Sequence, residues 1–434
     1  MRLRVCLSLL TGRPLRVEGI RTGAADRLNP GLREHEVSFL RLVEKVSNGT
    51  LVEINETGTA FRLRPGVVVG GKHIHDCGDV RSSRSIGWFL EPLILLALFA
   101  KRPMSITLRG ATNDCLDPAV DMFRQTTLPL LRKLGVGSTT SFAGVSIVGA
   151  DAGAESNSVY DETLELRLIK RGYAGGAEGG EMELRVPVVK QLPVIRLVDE
   201  GLVKRVRGVA YAINVTPQFS NRMVDGCRGV LNNLLPDVFI FTDHNNRADG
   251  GGRSASRGYG IVLNAETTSG CSISAGCDSR YSSANRATGA SGGPMVDDDD
   301  GEDLKTGGGA GDEDGDGARQ ARDSTASVQG GDGGVALPED VGQRAARLLL
   351  EEVNRGGAVD SSHQALMVAL AACGPAELHR FRLGPLSPSC IRALREIRRF
   401  LNVTFLLQPE TEHTNTIIAS CIGAGLSNVS KASR

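Results

Sequence analysis

The sequence is poor in aromatic residues and has no paired cysteine motif. Only 4% of its 434 residues are Phe, Trp or Tyr, so Leu, Val and Ile must fill the core that a hydrophobic fraction of 41% supports. The nine cysteines are scattered without a Cys-x-x-Cys pair, and their odd number excludes a fully paired disulfide framework. We predict that they are small buried hydrophobic residues in a reducing compartment.

Long apolar runs are also absent. The most apolar segment, Ile86–Ala100, contains Glu91 and Pro92. It falls short of the roughly 18 to 20 apolar residues that span a bilayer. The segment therefore predicts a buried core helix, and no membrane partner is expected. The N-terminal run VCLSLL is too short for the core of a signal peptide and predicts a strand or a short helix.

The zero net charge hides two parts of opposite sign. Residues 277–335 contain 13 Asp or Glu and 5 Lys or Arg, a local net charge of −8, so the remainder carries +8. Residues 278–336 have too little apolar surface to offset the entropy of ordering, which predicts a disordered, acidic, Gly/Ser-rich insertion. Its DEDGDG run lacks the spacing and terminal Glu of a calcium loop. The basic remainder is compatible with an RNA partner or with an ordinary basic protein.

One pattern of strand, loop, amphipathic helix and strand occurs three times, in residues 13–56, 102–144 and 377–408. A single such unit cannot bury its apolar face alone, so the repeat predicts stacked units with a shared core. Asp117-Pro118 and Ser387-Pro388 are predicted to begin the helices of the second and third copies, as N-cap residue and first-turn proline.

The fold class is predicted to be α/β, of the α+β kind, in four segments. Strand, strand, helix, strand, strand describes a small α+β domain inserted between the second and third repeats. The predicted divisions are residues 1–159 for the first two repeats, 160–277 for the inserted domain with adjoining strands, 278–336 for the acidic insertion, and 337–434 for the third repeat.

The densest polar cluster is the segment GGKHIHDCGDVRSSRS, residues 70–85. Alternation in an extended chain puts His73, His75 and Cys77 on one face and Asp76 on the other. These are candidate metal ligands, but no second cluster completes a tetrahedral set at a known spacing. The favoured interpretation is a strand end followed by a helix start, and no metal is predicted.

Three arginines are candidates for binding an anion or RNA. Arg81 and Arg84 lie just before the apolar helix, where guanidinium groups and helix N-terminal amides favour phosphate. Arg109 ends a strand, and Asp114 and Asp117 follow it in a loop. Ordinary surface charge is the alternative for the arginines. The two carboxylates are either an acid–base pair or, as we favour, a loop in which Asp117 caps a helix.

Two further groups stand near the third repeat. Asp360 and His363 are three residues apart, so they form either an acid–base pair or, as favoured, an N-cap with a histidine nearby. Arg392, Arg395 and Arg399 share one helix face and are either an RNA-backbone stripe or, more commonly, a solvated face.

Several long segments resemble the RNA 3′-terminal phosphate cyclase family, and in particular its eukaryotic cyclase-like branch. They are NPGLREHEVSFLRLVEKVSNGT, RPGVVVGGKHIHDC, NDCLDPAVD, RVRGVAY and RGGAVDSSHQAL. The resemblance covers nearly the whole chain except residues 278–336. It implies three βαβαββ-like units, each similar to the C-terminal domain of translation initiation factor 3, plus a small inserted α+β domain.

The resemblance also bears on catalysis. Cyclases adenylylate a histidine with ATP and then activate an RNA 3′-phosphate, and that histidine opens a HLADQ-type motif. Laying the motif on DSSHQ puts Asp360 at the nucleophile position, His363 at the acidic position and Gln364 on the glutamine. A carboxylate lacks the imidazole nitrogen that carries the adenylate. The glycine-rich EGGGQ motif is also missing, because the sequence begins about where that motif ends. Lost cyclase activity and no cofactor are therefore expected.

The resemblance to the cyclase-like branch implies that the protein acts in the nucleus, within the nucleolus. Its expected role is that of a non-catalytic scaffold in small-subunit (18S) rRNA processing and 40S ribosome biogenesis. The implied partners are a ribosome-assembly GTPase, small nucleolar ribonucleoprotein and the pre-rRNA particle. Two alternatives remain. One is an endonuclease that cleaves the pre-rRNA with Asp114, Asp117 or Asp360, and the other is a residual ATP-dependent cyclase that uses His363.

Overall fold

The protein is described by a computed structural model. It covers residues 1–23, 30–79, 84–137, 163–174, 179–245, 257–280, 336–410 and 415–428. The elements of the first unit are α1 (Arg2–Thr11), β1 (Leu15–Val17), α2 (Glu34–Val46), β2 (Ser47–Asn48), β3 (Leu51–Ile54), β4 (Phe61–Arg64) and β5 (Val67–Val68). The N-terminal run is therefore the short helix α1.

The second unit has the full βαβαββ order. Its elements are β6 (Gly71–Asp76), α3 (Ile86–Leu98), β7 (Met104–Gly110), α4 (Val120–Met122), a π-helix (Phe123–Thr127), α5 (Leu128–Lys133), β8 (Glu165–Lys170) and β9 (Gly180–Val186). The predicted core helix is confirmed as α3, which is buried along almost its whole length. The predicted second strand of this repeat, after Gly137, lies mostly outside the described residues.

A domain is inserted into the third unit after its first strand, β10 (Arg196–Leu197). The inserted elements are β11 (Val203–Ile213), α6 (Gln218–Leu231), β12 (Val238–Asn245), β13 (Gly258–Thr267), β14 (Ser272–Asp278) and α7 (Pro338–Arg355). The third unit then continues with α8 (Gln364–Cys373), β15 (Leu378–Leu383), α9 (Pro388–Leu401), β16 (Leu406–Pro409) and β17 (Ile417–Ile422).

The three units share one strand order, which confirms the repeat. The last strand of each lies between the other two, in the orders β1-β4-β3, β7-β9-β8 and β15-β17-β16, and all these pairs are antiparallel. In the second and third units a preceding strand, β6 or β10, adds in parallel beside β7 or β15. One apolar core joins the three units, as stacked repeats require.

The inserted domain has its own sheet, in the order β12-β11-β13-β14, with α6 and α7 packed over one face. Strand pairing and packing place two elements that lie near the predicted divisions. The hairpin β8–β9 completes the sheet of the second unit, because β9 pairs with β7. Helix α7 packs on α6, β13 and β14, because its buried residues belong to the core of the inserted domain.

Pro92 and Pro129 lie within continuous helical stretches, and in each case another part of the chain binds the carbonyl that the proline leaves unpaired. Pro92 in α3 has no N–H for the carbonyl of Trp88, and Nη1 of Arg2 donates to that oxygen at 2.7 Å. Pro129 likewise leaves the carbonyl of Gln125 free, at the π-helix, and Nδ2 of Asn264 donates to it at 3.1 Å. The second contact ties the inserted domain to the second unit.

Eight of the nine cysteines are buried and all are unpaired, so the prediction for this residue type is largely confirmed. Cys115 is the exception, because it lies in the exposed loop after β7. In the described ranges, none of the helices reaches the length and hydrophobicity that crossing a bilayer requires.

Candidate functional site

Asp360 is buried in the turn that precedes α8. Its Oδ2 accepts hydrogen bonds from the backbone N–H and the hydroxyl of Ser274 at 2.9 and 2.7 Å. Its Oδ1 accepts from the N–H groups of Ser362 and His363, each at 3.1 Å. Both carboxylate oxygens are therefore occupied. The helix begins at Gln364 rather than at Asp360, so the carboxylate caps this preceding turn.

His363 extends the same network in the other direction. Its Nδ1 lies 2.7 Å from Oδ1 of Asp360, and its Nε2 lies 2.7 Å from Oγ1 of Thr127. Thr127 ends the π-helix of the second unit, and Ser274 belongs to the inserted domain. The hydrogen bonds that link Ser274, Asp360, His363 and Thr127 in series therefore join the second unit, the third unit and the inserted domain at one point.

The charges in this network stabilise each other. Burial alone would raise the pKa of Asp360, but the His363 imidazole and the bonds from Ser274 lower it below its ordinary value. Burial alone would lower the pKa of His363, but the Asp360 carboxylate raises it above its ordinary value. The favoured state is thus a carboxylate beside an imidazolium, with both imidazole nitrogens directed at partners.

Gln364, the third motif residue, connects α8 to the start of α9. Its Nε2 donates to the carbonyl of Pro385 at 3.0 Å, and its Oε1 accepts from the N–H of Ser387 at 2.8 Å. Ser387 in turn caps α9 by accepting from the N–H of Cys390, so the predicted cap of the third repeat is confirmed.

The corresponding cap in the second repeat is not formed, so the prediction for Asp117 is wrong. Helix α4 begins at Val120, after Ala119, and Asp117 instead makes a bidentate ion pair with Arg84 at 2.5 and 2.9 Å. Its Oδ2 also accepts from the N–H of Ser85 at the start of α3. The carboxylate thus serves a different helix from the one predicted, because Arg84 offers it a planar two-point contact.

Asp114 lies beside this ion pair and is largely buried. Its Oδ1 accepts from the N–H groups of Leu116 and Asp117 at 3.2 and 2.8 Å. Burial and the neighbouring Asp117 carboxylate raise the pKa of Asp114 to about 8. Asp114 is therefore largely protonated near neutral pH, and the Asp117 carboxylate is held by Arg84, so neither group presents a free carboxylate to solvent.

Arg109 is the most open of the arginine candidates. Its side chain is 54% exposed and pairs with Glu181 at 3.3 Å. It lines a cleft of about 490 Å³ at the carboxyl ends of β6 and β7, together with Asp76, Lys170 and Glu181. The cleft carries mixed charge. Arg81 lies outside the described residues, and Arg84 is held by Asp117, so the three predicted arginines are not seen together around one pocket.

The predicted alternation on β6 is confirmed. His75 and Cys77 are buried on one face, whereas Asp76 is exposed on the other. Nε2 of His75 lies 3.0 Å from Oγ of Ser38, and burial lowers the pKa of His75 to about 4. Among the described residues, no group of His, Cys, Asp and Glu side chains has the arrangement that a metal ion needs.

The predicted arginine stripe is on α9, and a further exposed arginine lies on the other side of the sheet. Arg395 and Arg399 are exposed on α9, and Arg399 pairs with Glu396 of the same helix at 3.4 Å. Arg380, on β15, is on the opposite face of the sheet, because its neighbours His379 and Phe381 are the residues buried under the helices.

Sequence reasoning missed two residues of the central network, Ser274 and Thr127. It also missed a second buried contact between units. Arg171 opens a glycine-rich stretch of the sequence, yet it is buried and bonds Asp121 at 2.6 Å and Asp243 at 2.7 Å. The one available signal was Pro129 in the middle of a helical pattern, which marks a break in the regular helix.

These features define a class of protein. It is an α/β chain of three βαβαββ units with one domain inserted into the third unit, and a buried carboxylate, Asp360, lies just before helix α8 of that unit. The family model described as RNA 3′-terminal phosphate cyclase matches residues 1–145, and the model of the cyclase insert domain matches residues 198–292.

Full-length relatives give the same result. The RNA 3′-terminal phosphate cyclase-like protein of Homo sapiens is 37% identical over 99% of this chain and 95% of its own length. An Arabidopsis thaliana protein named "Probable RNA 3′-terminal phosphate cyclase-like protein" is 39% identical over 99% of this chain and 96% of its own length. The rRNA processing protein rcl1 of Schizosaccharomyces pombe is 36% identical, with 99% and 94% covered. The chain belongs to the RNA 3′-terminal phosphate cyclase family, in its cyclase-like branch.

Proposed function

We propose that this protein acts in rRNA processing, as a non-catalytic scaffold for maturation of the small-subunit (18S) rRNA and the 40S subunit. The relative from Schizosaccharomyces pombe carries rRNA processing in its name, and the other relatives are called cyclase-like. The proposed place of action is the nucleolus. The proposed partners are a ribosome-assembly GTPase, small nucleolar ribonucleoprotein and the pre-rRNA particle.

The observation that carries the non-catalytic part is the bonding of Asp360. The nucleophile of a cyclase must present a free imidazole nitrogen to the α-phosphate of ATP, whereas here a carboxylate stands in its place. Both of its oxygens accept backbone N–H groups, and its side chain is fully buried. A group held in this way supports the packing of three parts of the chain and has no lone pair directed at a substrate.

The displaced histidine does not favour a residual cyclase. His363 is only 5% exposed, and its two ring nitrogens face Asp360 and Thr127. Its raised pKa favours the imidazolium, which has no nucleophilic lone pair. The proposed endonuclease is not favoured either, because Asp114, Asp117 and Asp360 are all engaged by backbone N–H groups or by Arg84.

The chemical part of the proposal is tested with purified protein, ATP labelled on the α-phosphate, and an RNA oligonucleotide with a 3′-phosphate. We expect no covalent AMP on the protein and no 2′,3′-cyclic phosphate on the RNA, under conditions in which an active cyclase gives both. Adenylylation of the purified chain would overturn the non-catalytic assignment.

The cellular part is tested by affinity purification of the tagged chain, followed by identification of bound protein and RNA. We expect an assembly GTPase together with precursor rRNA and small nucleolar RNA. Depletion of the protein should lead to accumulation of unprocessed small-subunit precursor. Normal precursor levels after depletion would remove the chain from this pathway.

A further inference from the structure

Strand β12 is an open edge of the inserted domain. It ends the strand order β12-β11-β13-β14, and within the described residues no strand pairs with its outer side. With eight residues it is the longest edge strand of the described sheets. Such an edge presents a row of backbone N–H and C=O groups to another extended chain.

Other edges in the described part of the chain are protected in recognised ways. Strand β8 has a register irregularity between Leu168 and Lys170. Strand β16 is short, with four residues, and ends in Pro409. On the edge strand β6, Lys45 of α2 donates to the carbonyl of Ile74. Strand β12, with the sequence VFIFTDHN, has no Lys, Arg or Pro, and it pairs with β11 without a bulge. Residues 238–242 carry no charge that would oppose the addition of a further strand, and Asp243 follows them near the end of β12.

Two phenylalanines mark the open face beside this edge. Phe239 and Phe241 are 47% and 59% exposed, and their ring centroids lie 4.7 Å apart in an edge-to-face arrangement. Ile240 between them is buried under the helices. Two residues on, Asp243 bonds Arg171 of the second unit. The exposed pair therefore continues a face that is already an interface further along the strand.

The charge next to the pair argues against RNA as the occupant. On β11, Arg207 is opposite Phe239 and forms a bidentate ion pair with Asp237 at 2.7 and 2.9 Å. Arg205 on the same strand pairs with Glu266 at 2.6 Å. Both guanidinium groups are neutralised by carboxylates, so this surface offers little attraction to phosphate.

We propose that β12 is the docking edge for an extended segment of a partner protein, which adds to the sheet as a fifth strand. Its backbone would pair with the outer side of β12, and bulky apolar side chains at two alternate positions would cover Phe239 and Phe241. Backbone pairing supplies the affinity and the alternate side chains supply the specificity. This interaction surface is independent of the scaffold role, because it rests on the edge strand alone.

The test uses the full chain and a labelled synthetic peptide of alternating Thr and Val, of the same eight-residue length as β12. Fluorescence anisotropy should show saturable binding. An added strand directs alternate amides toward β12, so N-methylation of one alternate set should abolish binding and methylation of the other should not. Phe241→Lys should weaken binding roughly tenfold, since it removes an apolar contact and adds an edge charge.

Leu234→Lys is the matched control, because Leu234 is 63% exposed in the same domain but lies on no strand. It should bind the peptide as the unmodified chain does. Phe241→Thr keeps a strand-forming residue but removes the ring that covers the peptide side chain, so it should also weaken binding. The melting temperatures of all variants should agree, which shows that the fold is intact.

The proposal would be overturned if the peptide showed no saturable binding, if Phe241→Lys left peptide binding unchanged, or if both methylation patterns weakened binding equally. It would also be overturned if the peptide did not bind but oligouridine did, with an affinity that Phe241→Lys lowers. That result would assign the aromatic pair to RNA bases. Concentration-dependent dimerisation that Phe241→Lys abolishes, without peptide binding, would likewise overturn it in favour of a second copy of the chain.

Discussion

Nε2 of His363 lies 2.7 Å from Oγ1 of Thr127, although 236 residues separate them in the chain. On its other side the imidazole meets Asp360, whose carboxylate reaches Ser274. Asp360, which the family resemblance assigns to the nucleophile position, is the centre of a packing contact between three parts of the fold. The first two predictions concern the energy of that contact.

Asp360→Asn is expected to destabilise the protein by about 3 kcal/mol. Each carboxylate oxygen accepts a backbone N–H, so in either orientation the amide NH₂ group would face a donor. Urea denaturation near pH 6 measures the change in unfolding free energy. The control is Asp225→Asn at an exposed site on α6, which should stay within about 0.5 kcal/mol. Equal effects of the two variants would contradict the role of Asp360.

The stabilisation by His363 should depend on pH. Its pKa is raised in the folded state, so its contribution is full below the unfolded value near 6.5 and is lost as pH rises through the folded value. Asp360 has a lowered pKa, so its contribution is lost only as pH falls below about 3.8. The melting temperature of the unmodified chain should therefore exceed that of His363→Gln more at about pH 5.5 than at about pH 8.5. A constant difference would show that the pair is not charged.

Asp114→Asn should make the protein less sensitive to alkaline pH. The folded pKa of Asp114 is raised to about 8, so the unmodified chain loses stability as pH rises from near 3.8 to about 8. Asparagine resembles the protonated carboxyl and does not ionise. The free energy of unfolding of the variant, relative to the unmodified chain, should rise over this interval and level off above it. A flat difference between the two pH profiles would exclude a protonated Asp114 in the folded state at neutral pH.

Arg109→Gln should weaken the binding of single-stranded RNA and lower the dependence of log K on log salt by about 0.7 for one lost phosphate contact. Arg167→Gln is a close control, since both arginines are 54% exposed, lie on the same sheet and pair with a glutamate. Titration of oligouridine at several salt concentrations gives both slopes. Equal slopes for the two variants would make Arg109 ordinary surface charge. Arg84→Gln should instead lower stability, because Asp117 would lose its ion pair.

Replacement of residues 281–335 by a short Gly/Ser linker should leave the melting temperature nearly unchanged. The N–H of Ala336 donates to the carbonyl of Ser279 at 3.1 Å, so the two ends of this segment already meet. The deletion should stop short of both residues, because Tyr259 donates to the carbonyl of Ala336. A fall of more than a few degrees would show that the acidic segment contributes to the fold.

The sequence predicted the repeats because periodicity and end signals are local. The helix cap at Ser387, the apolar helix at Ile86 and the strand alternation around His75 all depend on residues close together in the chain. The network around Asp360 could not be found in this way. Ser274 and Thr127 have ordinary neighbours in sequence, and only the stacking of units brings them to Asp360 and His363.

Asp117 is a position where a local sequence signal predicted the wrong contact. The dipeptide Asp-Pro is a good local signal for a helix start, yet a bidentate contact with Arg84 outweighs the cap. Likewise Arg171, in a glycine-rich stretch, is buried by partners that lie far along the chain. Local rules fail at these positions because the strongest partner of each side chain lies 33 or more residues away along the chain.

The π-helix at Phe123–Thr127 holds one extra residue in a single turn beside the inserted domain. A π-turn takes one residue more than an α-turn, so removal of Gln125 would let the helix close as a regular α-turn with its two sides in nearly the same rotational phase. Thr127 would then keep its place opposite His363, whereas the Gln125 carbonyl to which Asn264 donates would be gone. One deleted codon would thus remove a contact between the second unit and the inserted domain and leave the network around His363 in place.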